Sequence, residues 1–89
     1  MKPRNTGWNY RVIKMADKKL KGLPQTYSWG IYEVYYTDDK PTSWSEDPCH
    51  AIGESWNELE EDYNLMFEAF KKKTLELVKG KLVERKLFY

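Results

Sequence analysis

The chain has 89 residues, 40% of them hydrophobic and 33% charged, with a net charge of +1 and a single cysteine. That length fits one domain over 1–89, that composition excludes a disordered chain, and a lone thiol excludes an internal disulfide and fits a reducing, cytoplasmic setting. No apolar run approaches the roughly 20 residues needed to span a bilayer, so no membrane association is expected.

The first patterned stretch is WNYRVIKMA, from Trp8 to Ala16. It is rich in strand formers and alternates, with Trp8, Tyr10 and Val12 on one face and Arg11, Ile13 and Met15 on the other. Residues 17–26, DKKLKGLPQT, carry Gly22 and Pro24 among lysines and predict a loop. YSWGIYEVYYT, from Tyr27 to Thr37, predicts a second strand with Gly30, Tyr32, Val34 and Tyr36 on the face assigned inward. Asp38-Asp39-Lys40-Pro41 turns the chain into a short third strand, Thr42 to Glu46.

A helix over 56–72 follows. Ser55 and Glu58 form a capping box, in which the hydroxyl accepts from the Glu58 amide and the carboxylate reaches back to the Ser55 amide. Trp56, Leu59, Tyr63, Met66, Phe67 and Phe70 recur at helical spacing. Glu58, Glu60, Glu61 and Asp62 crowd the positive end of the macrodipole, and Lys71, Lys72 and Lys73 crowd the negative end. Gly80 reads as a C-cap, and residues 82–89 are left open between a last strand and a tail.

The expected architecture is α+β: a three-stranded antiparallel meander with one C-terminal amphipathic helix packed on one face (β-β-β-α), a fourth C-terminal strand being the open alternative. Segments 1–7 and 80–89 read as tails. The expected core joins Tyr10, Val12, Tyr32, Val34 and Trp44 of the sheet to the helix stripe from Trp56 to Phe70.

Chemistry is sparse. Cys49 and His50, the single cysteine and single histidine, are adjacent in WSEDPCHAIGES. Neighbouring side chains on an extended segment point apart, so the two cannot share a metal ion or act as a thiol and its base. The stretch therefore reads as a connector in which Ile52 anchors and Gly53 turns into the cap. Glu58, Glu61, Asp62 and Glu68 read as a solvated face of the helix. No catalytic residue, metal ligand or cofactor is expected, and the chain reads as no enzyme.

What stands out is aromatic content and charge layout. Four Trp, seven Tyr and three Phe are more rings than so small a domain can bury. Residues 1–24 hold seven Lys/Arg and one acid, residues 25–70 one Lys and eleven acids, residues 71–89 seven Lys/Arg and two acids. The chain thus runs basic, acidic, basic, which predicts either ends folded back on the middle or a basic surface for an acidic partner. The expected contact residues are Trp8, Tyr10, Trp29, Tyr35, Lys14, Lys18, Lys19 and Lys21. The expected function is a small non-enzymatic protein-binding or regulatory module, monomeric or homodimeric, with a protein partner or self-association. The alternative is nucleic-acid binding through the basic loop 14–21 and its aromatic neighbours. An isoelectric point near 7.8 and the acidic helix weigh against that alternative.

WNYRVIK, GIYEVYY, PTSWSEDP and GESWNELEEDYNLMFEAFKKKTLEL, in that order, resemble a group of small bacterial proteins with a W-N-Y-R-V opening, a G-I-x-E-V-Y-Y strand, a W-x-E-x-P turn and an amphipathic helix. The resemblance covers 8–16 and 28–75 and implies a fold, with no activity attached to it. Cys49 and His50, the lysine loop and the segment after Leu77 depart from that pattern. A looser likeness is to HicB-like antitoxin domains, whose three strands enter a helix through a Gly-x-Ser/Thr step, here Gly53-Glu54-Ser55.

Overall fold

A computed structural model describes residues 7–86. Five strands form one sheet: β1 (Trp8–Ala16), β2 (Tyr27–Thr37), β3 (Lys40–Trp44), β4 (Leu75–Val78) and β5 (Lys81–Glu84). Their order is β3-β2-β1-β4-β5, antiparallel throughout except that β1 and β4 run parallel. Between β3 and β4 the chain forms α1 (Trp56–Phe67) and a 3-10 turn, Glu68–Lys71. The α+β class and the first three strands are as the sequence predicts. The meander is extended, however, and the helix is not C-terminal. Two further strands follow it, so 80–86 is no tail, while residues 1–6 and 87–89 lie outside the described residues.

Local chemistry explains the two tight hairpins. Asp38 and Asp39 have φ of 50° and 68°, and Lys79 and Gly80 have φ of 51° and 78°. Paired left-handed residues give the two-residue turn whose twist matches the flanking strands. Gly80 therefore turns β4 into β5 and does not cap the helix. Because Asp38-Asp39 is the whole of the first turn, β3 starts at Lys40, two residues ahead of its predicted start.

The register decides the core. Val12 lies opposite Ile31, and Arg11 opposite Tyr32. Directly opposed residues share a face, so Tyr10 and Val12 lie on the other side of the sheet from Tyr32 and Val34. The expected core thus joined residues from two faces. The inner face carries Ile13, Tyr32, Val34, Tyr36 and Leu75, with Met15, Trp44 and Leu82 packed against them. Trp44 comes from one edge strand and Leu82 from the other. The sheet therefore curls, barrel-like, and covers its own inner face.

Arg11 also faces inward. Its Nη1 donates to the Tyr36 hydroxyl at 2.8 Å and its Nη2 to the Lys73 carbonyl at 2.7 Å. The Tyr36 hydroxyl in turn donates to Asn9 Oδ1 at 2.8 Å. The guanidinium thereby ties the inner face of β1 to the chain that enters β4.

The outer face of β1 receives the helix, but on a narrow edge. Of α1 and the 3-10 turn, only Met66 and Ala69 are buried, and the rest of the predicted core stripe is not. Asp62, expected in solvent, instead accepts from the Tyr10 hydroxyl at 3.0 Å and from the Ile52 amide at 3.0 Å. These bonds turn the line of Asp62, Met66 and Ala69 toward β1. The stripe of larger side chains is rotated away by roughly a quarter turn at about 100° per residue.

Candidate interaction surface

The helix start is built as predicted, with one shift. The Glu58 amide donates to Ser55 Oγ at 3.2 Å, and the Glu58 carboxylate accepts from the Glu54 amide at 2.9 Å, one residue before the amide expected. Gly53 is required here by contact: a Cβ at that position would lie 2.7 Å from the Glu58 carbonyl carbon and press on the Leu59 amide. This tight entry sets the rotation of α1 and so decides which of its faces meets water.

The face that meets water is apolar. Trp56 is 72% exposed, Leu59 41%, Tyr63 60%, Phe67 50% and Phe70 49%. Trp56, Leu59, Glu60 and Tyr63 line a shallow groove of ≈ 320 Å³. Phe67 and Phe70 meet edge to face, with centroids 5.6 Å apart. The five side chains follow one line along about 21 Å of helix. Contiguous apolar surface of this extent marks contact sites. Sequence reasoning placed these residues in the core. The signal that could have moved them outward was the surplus of rings over the volume available to bury them.

The contact residues expected from the sequence are brought together only in part. Trp8, Tyr10 and Lys14 alternate along β1, and Tyr35 and Trp29 lie opposite Trp8 and Lys14, so all five share the outer face. They form two clusters about 20 Å apart at 3.3 Å per residue. At one end Trp8 stands edge-on to Tyr10, with centroids 5.2 Å apart and planes at 89°, beside Tyr35. A groove of ≈ 440 Å³ runs between this cluster and the helix, lined by Trp8, Asn9, Tyr10, Leu65, Glu68 and Lys72. Burial, and then the hydrogen bond to Asp62, push the Tyr10 hydroxyl up to about 12.

At the other end Lys14 Nζ lies 4.4 Å from the ring centroid of Tyr27 and 5.5 Å from that of Trp29. The cation covers ring faces that a stacked base would need. Lys18, Lys19 and Lys21 are exposed in the adjoining loop, and Lys19 Nζ donates to the Leu23 carbonyl at 2.6 Å. The loop is pinned at its base. Asp17 accepts from Ser28 Oγ at 2.6 Å and Thr26 Oγ1 at 2.7 Å, and these bonds hold its carboxyl below the usual carboxylate range.

Cys49 is half-buried and His50 exposed. The Cys49 amide donates to the Ile31 carbonyl at 2.7 Å, and the Ser45 amide to the Glu33 carbonyl at 2.9 Å. The segment after β3 thus runs on along β2 before it reaches the helix. Gly30 makes room for it, since a Cβ there would stand 3.1 Å from Pro48 Cβ. Among the described residues, no group of three or more Cys, His, Asp or Glu is placed to hold a metal ion. Among them also, no helix is long and apolar enough to cross a membrane.

Lys73 pairs with Glu84 at 3.9 Å and Arg85 with Glu76 at 2.9 Å, both within the last segment, and Lys71 pairs with Glu68 three residues back at 3.1 Å. Along the helical segment, acids at Glu58, Glu60, Glu61 and Asp62 give way to Lys71, Lys72 and Lys73. No family model matches the chain, and neither a characterised protein nor a solved structure is detectably similar to it.

Proposed function

We propose that the chain is a non-enzymatic binding module whose partner is a protein, and that the partner docks on the outward face of α1. The observation that carries this reading is the line of Trp56, Leu59, Tyr63, Phe67 and Phe70, each between 41% and 72% exposed along a capped helix and the 3-10 turn that continues it. Aromatic side chains held on a fixed backbone lose little conformational entropy on contact and supply most of the energy at protein interfaces.

The nucleic-acid reading draws on Lys14, Trp29, Lys18, Lys19 and Lys21 and is the weaker one, because Lys14 covers the faces of Tyr27 and Trp29 and the other aromatic cluster, around Trp8 and Tyr10, borders the acidic helix face. The test uses purified protein and two variants. Tyr63→Glu should abolish stoichiometric protein association and leave the circular dichroism unchanged. Converting Lys18, Lys19 and Lys21 to Glu should leave that association intact. The reading fails if Tyr63→Glu has no effect on association. It also fails if the triple variant removes a single-strand affinity that falls with salt at a log–log slope near −0.7 per phosphate contact.

A further inference from the structure

The partner can be named from the spacing of the stripe, on the premise that the outward face of α1 is the docking surface. Trp56, Leu59, Tyr63, Phe67 and Phe70 are symmetric about Tyr63: Leu59 and Phe67 lie four residues to either side, and Trp56 and Phe70 seven. If two such helices lie antiparallel, Trp56 of each meets Phe70 of the other, Leu59 meets Phe67, and Tyr63 meets its own copy. A two-fold contact requires a self-complementary patch, and this spacing supplies one.

Charge selects the same direction. In the antiparallel pair the macrodipoles oppose and Lys71 of one helix comes to the acidic entry of the other, while Glu54 and Lys72 face the grooves beside β1, away from the seam. In a parallel pair the lysines would face lysines and the glutamates glutamates. The flank that closes over the seam carries Asn57, Glu60 and Asn64, with only one charge. Glu58, Glu61 and Glu68 lie on other sides of the helix at about 100° per residue.

The area is sufficient. At about 150–250 Å² per ring and the exposures given above, the four rings and Leu59 leave roughly 500 Å² of side chain in water. Two copies together remove about 1,000 Å², the size at which specific interfaces begin, before the polar flanks are counted. The rotation of the stripe away from the sheet-facing edge lets a second helix lie alongside α1.

We propose that the protein is a two-fold homodimer formed by antiparallel pairing of α1 with α1 of a second copy, centred on Tyr63. Sedimentation equilibrium of the purified full chain should give twice the monomer mass of 10.7 kDa at high micromolar concentration. Tyr63→Glu places two carboxylates together on the axis and should weaken the dimer by roughly a hundredfold or more, with the helical circular dichroism kept. Tyr63→Cys in a Cys49→Ser background should oxidise to a covalent dimer, whereas Glu61→Cys, on another side of the helix, should not. A wild-type chain that stays monomeric throughout overturns the proposal, as does a dimer indifferent to Tyr63→Glu or one that cross-links through Glu61→Cys and not Tyr63→Cys. A monomer that still forms a stoichiometric complex with another protein, lost in Tyr63→Glu, would sink the homodimer and leave the binding-module reading standing. Loss of both would end both.

Discussion

The inner face of the sheet and the outward face of α1 both carry large apolar side chains at regular spacing, yet their surroundings are opposite. Ile13, Val34 and Leu75 have no exposed surface, while Trp56 and Tyr63 keep more than half of theirs. The sheet covers itself: its edge strands curl until Trp44 and Leu82 meet the same cluster. The helix is therefore not needed to roof the inner core. It contributes Met66 and Ala69 to the outer side of β1 and presents the remainder to water. Apolar periodicity tells which side of an element seeks cover. It does not tell whether the cover comes from the same chain.

That contrast can be tested by equal truncations on the two surfaces. Leu75→Ala, at a fully enclosed position, should cost about 2–5 kcal/mol in urea unfolding, because it leaves a cavity among Ile13, Tyr32 and Val34. Phe67→Ala and Phe70→Ala remove more atoms but should cost the dilute chain only about 0.5–1.5 kcal/mol, the worth of their edge-to-face contact. A loss at Phe70 as large as that at Leu75 would mean that the stripe is packed within the monomer.

A second large effect is expected at Arg11. Arg11→Ala leaves the Tyr36 hydroxyl and the Lys73 carbonyl without their charged donor and opens space beside them, and should cost roughly 3 kcal/mol. Arg11→Lys should recover little, since one ammonium cannot reproduce the planar fork that reaches both acceptors.

The helix entry sits between these extremes. Gly53→Ala should cost roughly 1–3 kcal/mol, because its methyl group would press on the backbone of Glu58 and Leu59. Ser55→Ala loses only the bond to the Glu58 amide and should cost about 1 kcal/mol. Both are read by thermal unfolding followed at the helical band. If Gly53→Ala is the milder of the two, the entry turn is looser than its geometry shows.

The smallest effect is on pH. Tyr10 titrates near 12 in the folded chain and near its ordinary value of 10 when unfolded. A group whose folded value is raised adds stability that is complete below the unfolded value and is lost as pH climbs through the folded one. Stability should therefore decline between about pH 10 and 12. Burial also raises Tyr32 and Tyr35, so the decline is shared among the three. Tyr10→Phe should flatten part of it. An unchanged profile would show that the bond to Asp62 is not kept in solution.

The sequence by itself determined the elements whose causes are local. The bounds of the first two strands follow from alternation and β-branched and aromatic content. The helix start follows from Ser55 and Glu58, and the turn at Asp38-Asp39 from residues that tolerate left-handed backbone. The last two strands were harder to see. Leu75–Val78 and Lys81–Glu84 are four residues each, too short for a period to declare itself, and their shared turn placed Gly80 where a helix cap was also plausible. What only the tertiary structure decided was pairing. A ten-residue loop leaves the register of β1 on β2 open, and a shift of one residue exchanges the faces, so Arg11 replaces Tyr10 beside Tyr32. The helix rotation needed, besides the tight entry at Gly53, a long-range bond, Tyr10 to Asp62, between residues 52 apart in sequence. Hydrophobic spacing is a property of each segment alone, whereas register and rotation depend on contacts between segments. The candidate interaction surface therefore became visible only once those contacts had been made.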